Sequence, residues 1–152
     1  MKRVKKTYCC LGSGAAVVLI AAFFIGCGPS IKYAYDAGTS FPELKTYQWA
    51  PSSGIYRLDP LLETNVQFMA DKNLGKKGLT RKAEKADLVV WMTYEAEYNK
   101  TFQLRMLTLN IARADNKEIV WRGTATGDIK TDAASKDLEE IVEGILANFP
   151  PR

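Results

Sequence analysis

The sequence predicts an α+β domain: an antiparallel sheet in β-β-α-β-β-β-α order with two helices packed on one face, preceded by an N-terminal signal helix. Three observations predict it. Residues 31–35, 87–98, 101–114 and 118–127 alternate side-chain character with the period of two that marks strands. Asp59-Pro60 is a strong helix start, a capping carboxylate followed by proline at the first helical position. Leu138, Ile141, Val142, Ile145, Leu146 and Phe149 fall at i, i+3, i+4, i+7, i+8 and i+11, one face of a second helix. At 152 residues the chain allows a single domain.

Each element has a local reason. Ile31, Tyr33 and Tyr35 alternate with Lys32 and Ala34, and Asp36-Ala37-Gly38-Thr39-Ser40 ends that strand with turn chemistry. Thr46-Tyr47-Gln48-Trp49 is β-branched and aromatic, and Pro51-Ser52-Ser53-Gly54 closes it. The helix from Asp59 carries Leu62, Val66, Met69 and Asn73 at helical spacing, flanked by Leu61 and Phe68, and runs to about Leu74. Gly75 and Gly78 stop it, with Lys76 and Lys77 suited to the negative end of its dipole.

In the next strand, Leu88, Val90, Met92, Tyr94 and Ala96 form the buried set. The opposite set, Val89 to Glu97, passes from apolar to charged, so both faces are covered at the start and one is wet at the end. The following strand places Leu107, Leu109 and Ile111 on one face. Leu104 and Met106 have the opposite parity, which predicts a bulge near Arg105. Ala114-Asp115-Asn116-Lys117 is a hairpin turn, and the returning strand shares Ile119, Trp121, Gly123 and Ala125 on one face. The last helix is capped by Asp132 or Ser135 and ended by Pro150-Pro151.

The N-terminal stretch is of a different kind. Lys2-Arg3-Val4-Lys5-Lys6 precedes an apolar run, Ala15 to Ile25, which has the length of a signal-peptide core. Phe24-Ile25-Gly26-Cys27 resembles the lipobox of bacterial lipoproteins, with Phe24 where that pattern prefers Leu. The resemblance implies that residues 1–26 are a cleaved signal, that Cys27 is the site of lipid attachment, and that 27–30 tether a domain at 31–152. Gly28, standing where an Asp would retain such proteins in the inner membrane, implies sorting to the outer membrane. A second reading keeps Cys9 to Gly28 as an uncleaved inner-membrane span, since about 20 apolar residues suffice to cross.

This stretch also accounts for the charge. Lys2, Arg3, Lys5 and Lys6 are four of the 21 basic residues, and no Asp or Glu precedes Cys27, so the remaining 17 basic side chains balance the 17 acidic ones. A chain neutral beyond its signal has no global field that draws nucleic acid. Cys9 and Cys10 lie within the signal, leaving Cys27 without a partner for an internal disulfide or a metal site.

The chain has no histidine, which excludes Ser-His and Cys-His catalysis and the usual zinc sites. It carries no nucleophile elbow, phosphate loop or dinucleotide fingerprint. Glu95 and Glu97 share a strand face, as a paired acid and base or a calcium site would, or simply as a wet face. Asp128 and Asp132 could hold a cation or cap turns. Trp49, Trp91 and Trp121, with Tyr33, Tyr35, Tyr47, Tyr94 and Tyr98, could line a groove or fill the core. Arg122 points away from Trp121 and is expected to pair with Glu95 or Glu97.

Several short motifs occur in order: Phe41 with Leu44-Lys45-Thr46-Tyr47-Gln48-Trp49, Asp59-Pro60-Leu61-Leu62, Lys77-Gly78-Leu79, Ala86-Asp87-Leu88-Val89-Val90, Val120-Trp121-Arg122-Gly123 and Phe149-Pro150. Together they resemble the DUF4136 family of bacterial lipoproteins from about Ile31 to Pro151, with Leu44 where the family often has Tyr. The resemblance implies a periplasm-facing α+β domain on a lipid anchor and no particular activity. The expectation is a non-catalytic outer-membrane lipoprotein, monomeric, bound to the membrane through its N-terminal lipid, with an envelope component as partner. No cofactor, metal or nucleic acid is expected. The alternatives are a small-ligand or hydrolytic domain and the inner-membrane protein above.

Overall fold

The computed structural model describes residues 28–50, 59–99, 101–131 and 136–150. The expected signal helix, Cys27, the expected turn at 51–54, the Tyr98 side chain, the expected caps Asp132 and Ser135, and Pro151 lie outside that description. The sheet has six strands in the order β1-β6-β5-β4-β2-β3. These are β1 (Ser30–Tyr35), β2 (Thr46–Trp49), β3 (Thr80–Arg81), β4 (Leu88–Asn99), β5 (Thr101–Arg113) and β6 (Ile119–Ile129). Two helices, α1 (Pro60–Lys76) and α2 (Asp137–Leu146), pack on one face, and a short 3-10 turn spans Phe41–Glu43.

The meander β4-β5-β6 is antiparallel as the alternation predicts, and β1 adds to it antiparallel beside β6. The sheet is nevertheless mixed, because β2 runs parallel to both β4 and β3. The reason is α1: a helix between two strands carries the chain back to the end it left, which is how parallel neighbours are joined.

Asp59 caps α1, its Oδ1 accepting from the backbone N–H groups of Leu61 and Leu62 at 3.0 Å each. The helix closes as a Schellman motif: Leu79 N–H reaches the Leu74 carbonyl and Gly78 N–H the Gly75 carbonyl, with Gly78 at φ 85°. Its inner stripe is Leu62, Val66, Ala70, Asn73 and Leu74, while Leu61 and Phe68 face solvent.

Two carboxylates fix β2. Asp87 Oδ2 accepts from the backbone N–H groups of Lys45 and Thr46 and from Thr46 Oγ1, and the Asp87 N–H donates back to that hydroxyl oxygen. On the helix side, Asp71 Oδ1 accepts from Tyr47 Oη and Trp49 Nε1 at 2.8 Å each, and its Oδ2 accepts from Arg81 at 2.7 Å. Burial first, and then the Asp71 bond, push the Tyr47 hydroxyl well above the ordinary tyrosine range. One helical side chain thus holds β2 and β3 under α1.

The core lies between the helices and the sheet rows Val90–Ile111–Trp121, Met92–Leu109–Gly123 and Tyr94–Leu107–Ala125. All six periodic positions from Leu138 to Phe149 are buried, although α2 ends at Leu146, short of the predicted stop at Pro150, and Phe149 lies beyond it. Trp121 is fully buried and meets Phe149 edge-on, which in turn meets Phe41. Ile119, expected on the same face, is exposed, because the β5–β6 register shifts between Ile111 and Ala112. The Trp121 ring lies across Gly123: a Cβ there would sit 2.3 Å from Trp121 Cη2 and 2.8 Å from Ile145 Cγ2.

Both the packing at Gly123 and the clamp at Asp87 can be tested by substitution. Gly123→Ala is expected to cost about 1–3 kcal/mol by overpacking, although alanine suits a strand better than glycine. Equal or higher stability in urea titration would refute the contact. The hydrogen bonds from Thr46 and Lys45 hold Asp87 below its ordinary carboxylate range. A depressed folded value stabilises above the unfolded value of about 4 and is lost as pH falls through the folded one. The native chain is therefore expected to exceed Asp87→Asn by about 1 kcal/mol at neutral pH, the difference closing in acid. A gap that does not change with pH would contradict this account.

Candidate functional site

The bulge expected near Arg105 is present. Glu95 pairs with Met106 and Ala96 with Leu104, so Arg105 is the extra residue of β5. On the other side, Met106 pairs with Thr126 and Leu104 with Ile129. The bulge aims Arg105 at a polar cluster drawn from three strands. Its guanidinium donates to Glu97 Oε2 (2.9 and 3.0 Å), to Asp128 Oδ1 (2.7 Å) and to Gln103 Oε1 (3.0 Å). The Glu97 bond, followed by the attraction of Asp128, raises the Arg105 pKa further above its ordinary value.

This arrangement answers the carboxylate expectations. Glu97 and Asp128 converge, but on an arginine, which offsets one of their two negative charges and takes up one oxygen of each. Glu95 shares the wet strand face and is exposed. Arg122 does not pair with Glu95 or Glu97. It lies opposite Asn110 in the next strand and its Nε donates to Asn110 Oδ1 at 2.7 Å, because register brings those two together. Among the described residues no three His, Cys, Asp or Glu side chains are grouped to hold a metal ion.

The aromatics do not form one groove. Trp121 is inside the helix-side core, Trp91 belongs to the opposite face in the row Trp91–Asn110–Arg122, and Trp49 is bound to Asp71. A pocket lined by Trp91, Trp121 and Glu95 would need one face of the sheet to hold all three, and the pleat separates them. A shallow depression of about 370 Å³ lies beside the first strand, lined by Ala34, Tyr35, Asp36, Ile119, Val120, Trp121 and Arg122.

Among the described residues, β1 is the long strand at an edge of the sheet. All six of its residues are exposed. Ile31, Tyr33 and Tyr35 point to the helix side but lie at the margin of α2, and Tyr33 and Tyr35 stay 49 % and 46 % exposed. Their rings stack, with centroids 6.4 Å apart and planes at 16°. The strand starts three residues after position 27, and Asp36 closes it with a turn, accepting from Gly38 N–H and Thr39 Oγ1. An alternating strand in the sequence signals a sheet, yet nothing in its residues says that it stands at the edge.

The arginine cluster carries a prediction. Calcium titrated calorimetrically into the protein is expected to give no saturable heat, because displacing Arg105 from Glu97 and Asp128 would cost both ion pairs. A saturable isotherm that Glu97→Gln removes would overturn the assignment.

Comparison with known proteins agrees with this architecture. The domain of unknown function DUF4136 matches residues 31–151. A DUF4136 family protein from Bacteroides thetaiotaomicron VPI-5482 has a similar fold, at 14% identity and TM-score 0.59, over 80% of this chain and 94% of that one. A PDZ domain protein from Parabacteroides distasonis ATCC 8503 is similar at 16% identity and TM-score 0.61 over 82% of this chain, which spans only 37% of that protein. The PelC dodecamer from Paraburkholderia phytofirmans is similar at 13% identity and TM-score 0.58, over 82% of this chain and 99% of that one. At these identities the likeness is one of fold. No curated protein matches the sequence.

Proposed function

The chain belongs to the DUF4136 family, and from that premise we propose that it is a lipid-anchored outer-membrane protein whose periplasm-facing domain binds an envelope component without catalysing a reaction. The observation that carries the reading is the lipobox-like Phe24-Ile25-Gly26-Cys27 directly ahead of the domain. β1 begins at Ser30, so the tether from Cys27 spans about 10 Å at full extension. The domain would therefore be held against the bilayer surface. Each buried methylene of an acyl chain contributes about 0.8 kcal/mol, so two or three chains anchor it durably. Weak contacts with neighbouring envelope components then suffice, because tethering raises their effective concentration.

The polar cluster supports a binding role over hydrolysis, since Arg105 takes up Glu97, one member of the Glu95/Glu97 pair that acid–base chemistry would need. Among the described residues no helix is long and apolar enough to cross a membrane.

Cys27→Ser is expected to abolish palmitate labelling in growing cells and to leave an uncleaved precursor. Unchanged labelling would refute the anchor, and an unlabelled native chain retained at full length in the inner membrane would replace it with the uncleaved span.

A further inference from the structure

We propose that β1 is a self-association edge: two copies of this chain pair antiparallel through β1, centred on Tyr33, to make one continuous sheet. The proposal does not depend on the lipid anchor.

The hydrogen-bond phase of β1 leads to it. Asp36 N–H donates to the Val120 carbonyl at 2.9 Å, continuing the register in which Tyr35 meets Trp121. In an antiparallel pair, residues alternate between those that exchange both backbone bonds with the neighbour and those that turn both groups away. Asp36, Ala34, Lys32 and Ser30 therefore spend their backbone groups on β6, and Ile31, Tyr33 and Tyr35 direct theirs out of the sheet. A second β1 with Tyr33 opposite Tyr33 sets Ile31 opposite the partner's Tyr35, and the reverse. All three outward residues then find hydrogen-bonded positions, giving six main-chain bonds. Shifting the centre to Ile31 or Tyr35 leaves some unpaired.

The side chains agree with the same register. Ile31, Tyr33 and Tyr35 lie on one face, so the pairing makes an apolar ladder of three rungs and extends the Tyr33–Tyr35 stack across the symmetry axis. Lys32 meets the partner's Ala34, so no like charges stand directly opposite, and the partner's Asp36 lies two positions further along that face. The other edge cannot serve, since β3 is two residues long and ends in Arg81 followed by Lys82. An exposed six-residue edge carrying two tyrosines is the kind of template that finds a strand, and its own copy fits it in phase, apolar match and charge. This proposal departs from the monomer expected from the sequence.

The test uses the full chain extracted in detergent. Sedimentation or light scattering is expected to give twice the chain mass. Tyr33→Cys is expected to form a disulfide-linked homodimer under mild oxidation, since directly opposed residues have Cα atoms about 5.5 Å apart, within disulfide reach. Lys32→Cys is expected not to, its counterpart being about 7–8 Å away on the diagonal. Tyr33→Pro removes an outward N–H that the chain does not use internally, so it is expected to halve the mass while leaving the circular dichroism unchanged. A native chain of single mass overturns the proposal. So does a dimer that Tyr33→Pro leaves intact or that crosslinks equally well from position 32. A crosslink from position 33 to a different protein, or association that appears only with added vesicles, would assign the edge to another occupant and overturn it too.

Discussion

The fold depends on the seating of β2. This strand has only four residues, and it carries the crossover on which α1, β3 and the far side of the core depend. So short a parallel strand contributes few ladder bonds, and parallel pairing is slightly weaker per residue than antiparallel. Two carboxylates supply the rest. Asp87 gathers the start of β2 onto the start of β4, and Asp71 reaches down from α1 to Tyr47, Trp49 and Arg81. Neither carboxylate could be replaced by an apolar residue without leaving donors unpaired, three of them around Asp71 alone. Unpaired donors cost more than the bonds themselves contribute.

Much of this was legible in the sequence in pieces and not in its connections. The segments Lys45-Thr46-Tyr47-Gln48-Trp49 and Ala86-Asp87-Leu88 read as two separate family motifs, yet in space they form one clamp. The last helix was legible outright because its five apolar positions from Leu138 to Leu146 answer to one face, and Phe149, just beyond its end, enters the same core. The bulge at Arg105 was legible as well, since an extra residue in the strand is what brings Leu104 and Leu107, of opposite parity, to the same buried face. The parallel direction of β2 was not, because direction is set by the crossover helix and leaves no mark on a four-residue strand. β3, two exposed residues long, carries no periodicity at all.

The candidate surfaces were less legible for the same reason. Arg122 and Arg105 both belong to the sheet's outer face, and register places only Arg105 beside Glu97, leaving Arg122 in the row of Trp91 and Asn110. The bulge turns Arg105 toward the acids, while the regular ladder hands Arg122 to Asn110. The tryptophans were misleading as a group. Alternation assigns each to a face, but whether a face is covered depends on where the helices stop. Trp121 lies beneath α2, whereas Tyr33 and Tyr35, on the same side of the sheet, lie at its margin and stay half exposed.

If Cys27 carries the proposed lipid, its place three residues ahead of the exposed edge would have a geometric consequence. In the β1 pairing the two strands run in opposite directions, so the two Ser30 residues sit at opposite ends of a six-residue ladder, about 20 Å apart. The dyad relating them stands perpendicular to the sheet. Two short tethers can reach the same bilayer when that dyad lies along the membrane normal, with the paired sheets spread over the surface. A tether of three residues, about 10 Å long, is too short to let one domain turn over while its partner stays seated. Anchoring would thus restrict the copies to two dimensions and to orientations close to the one in which the edges meet. In this arrangement the lipid anchor and the open strand reinforce each other: the first raises the effective concentration of the second, and the pairing in turn gives each domain two attachments to the membrane.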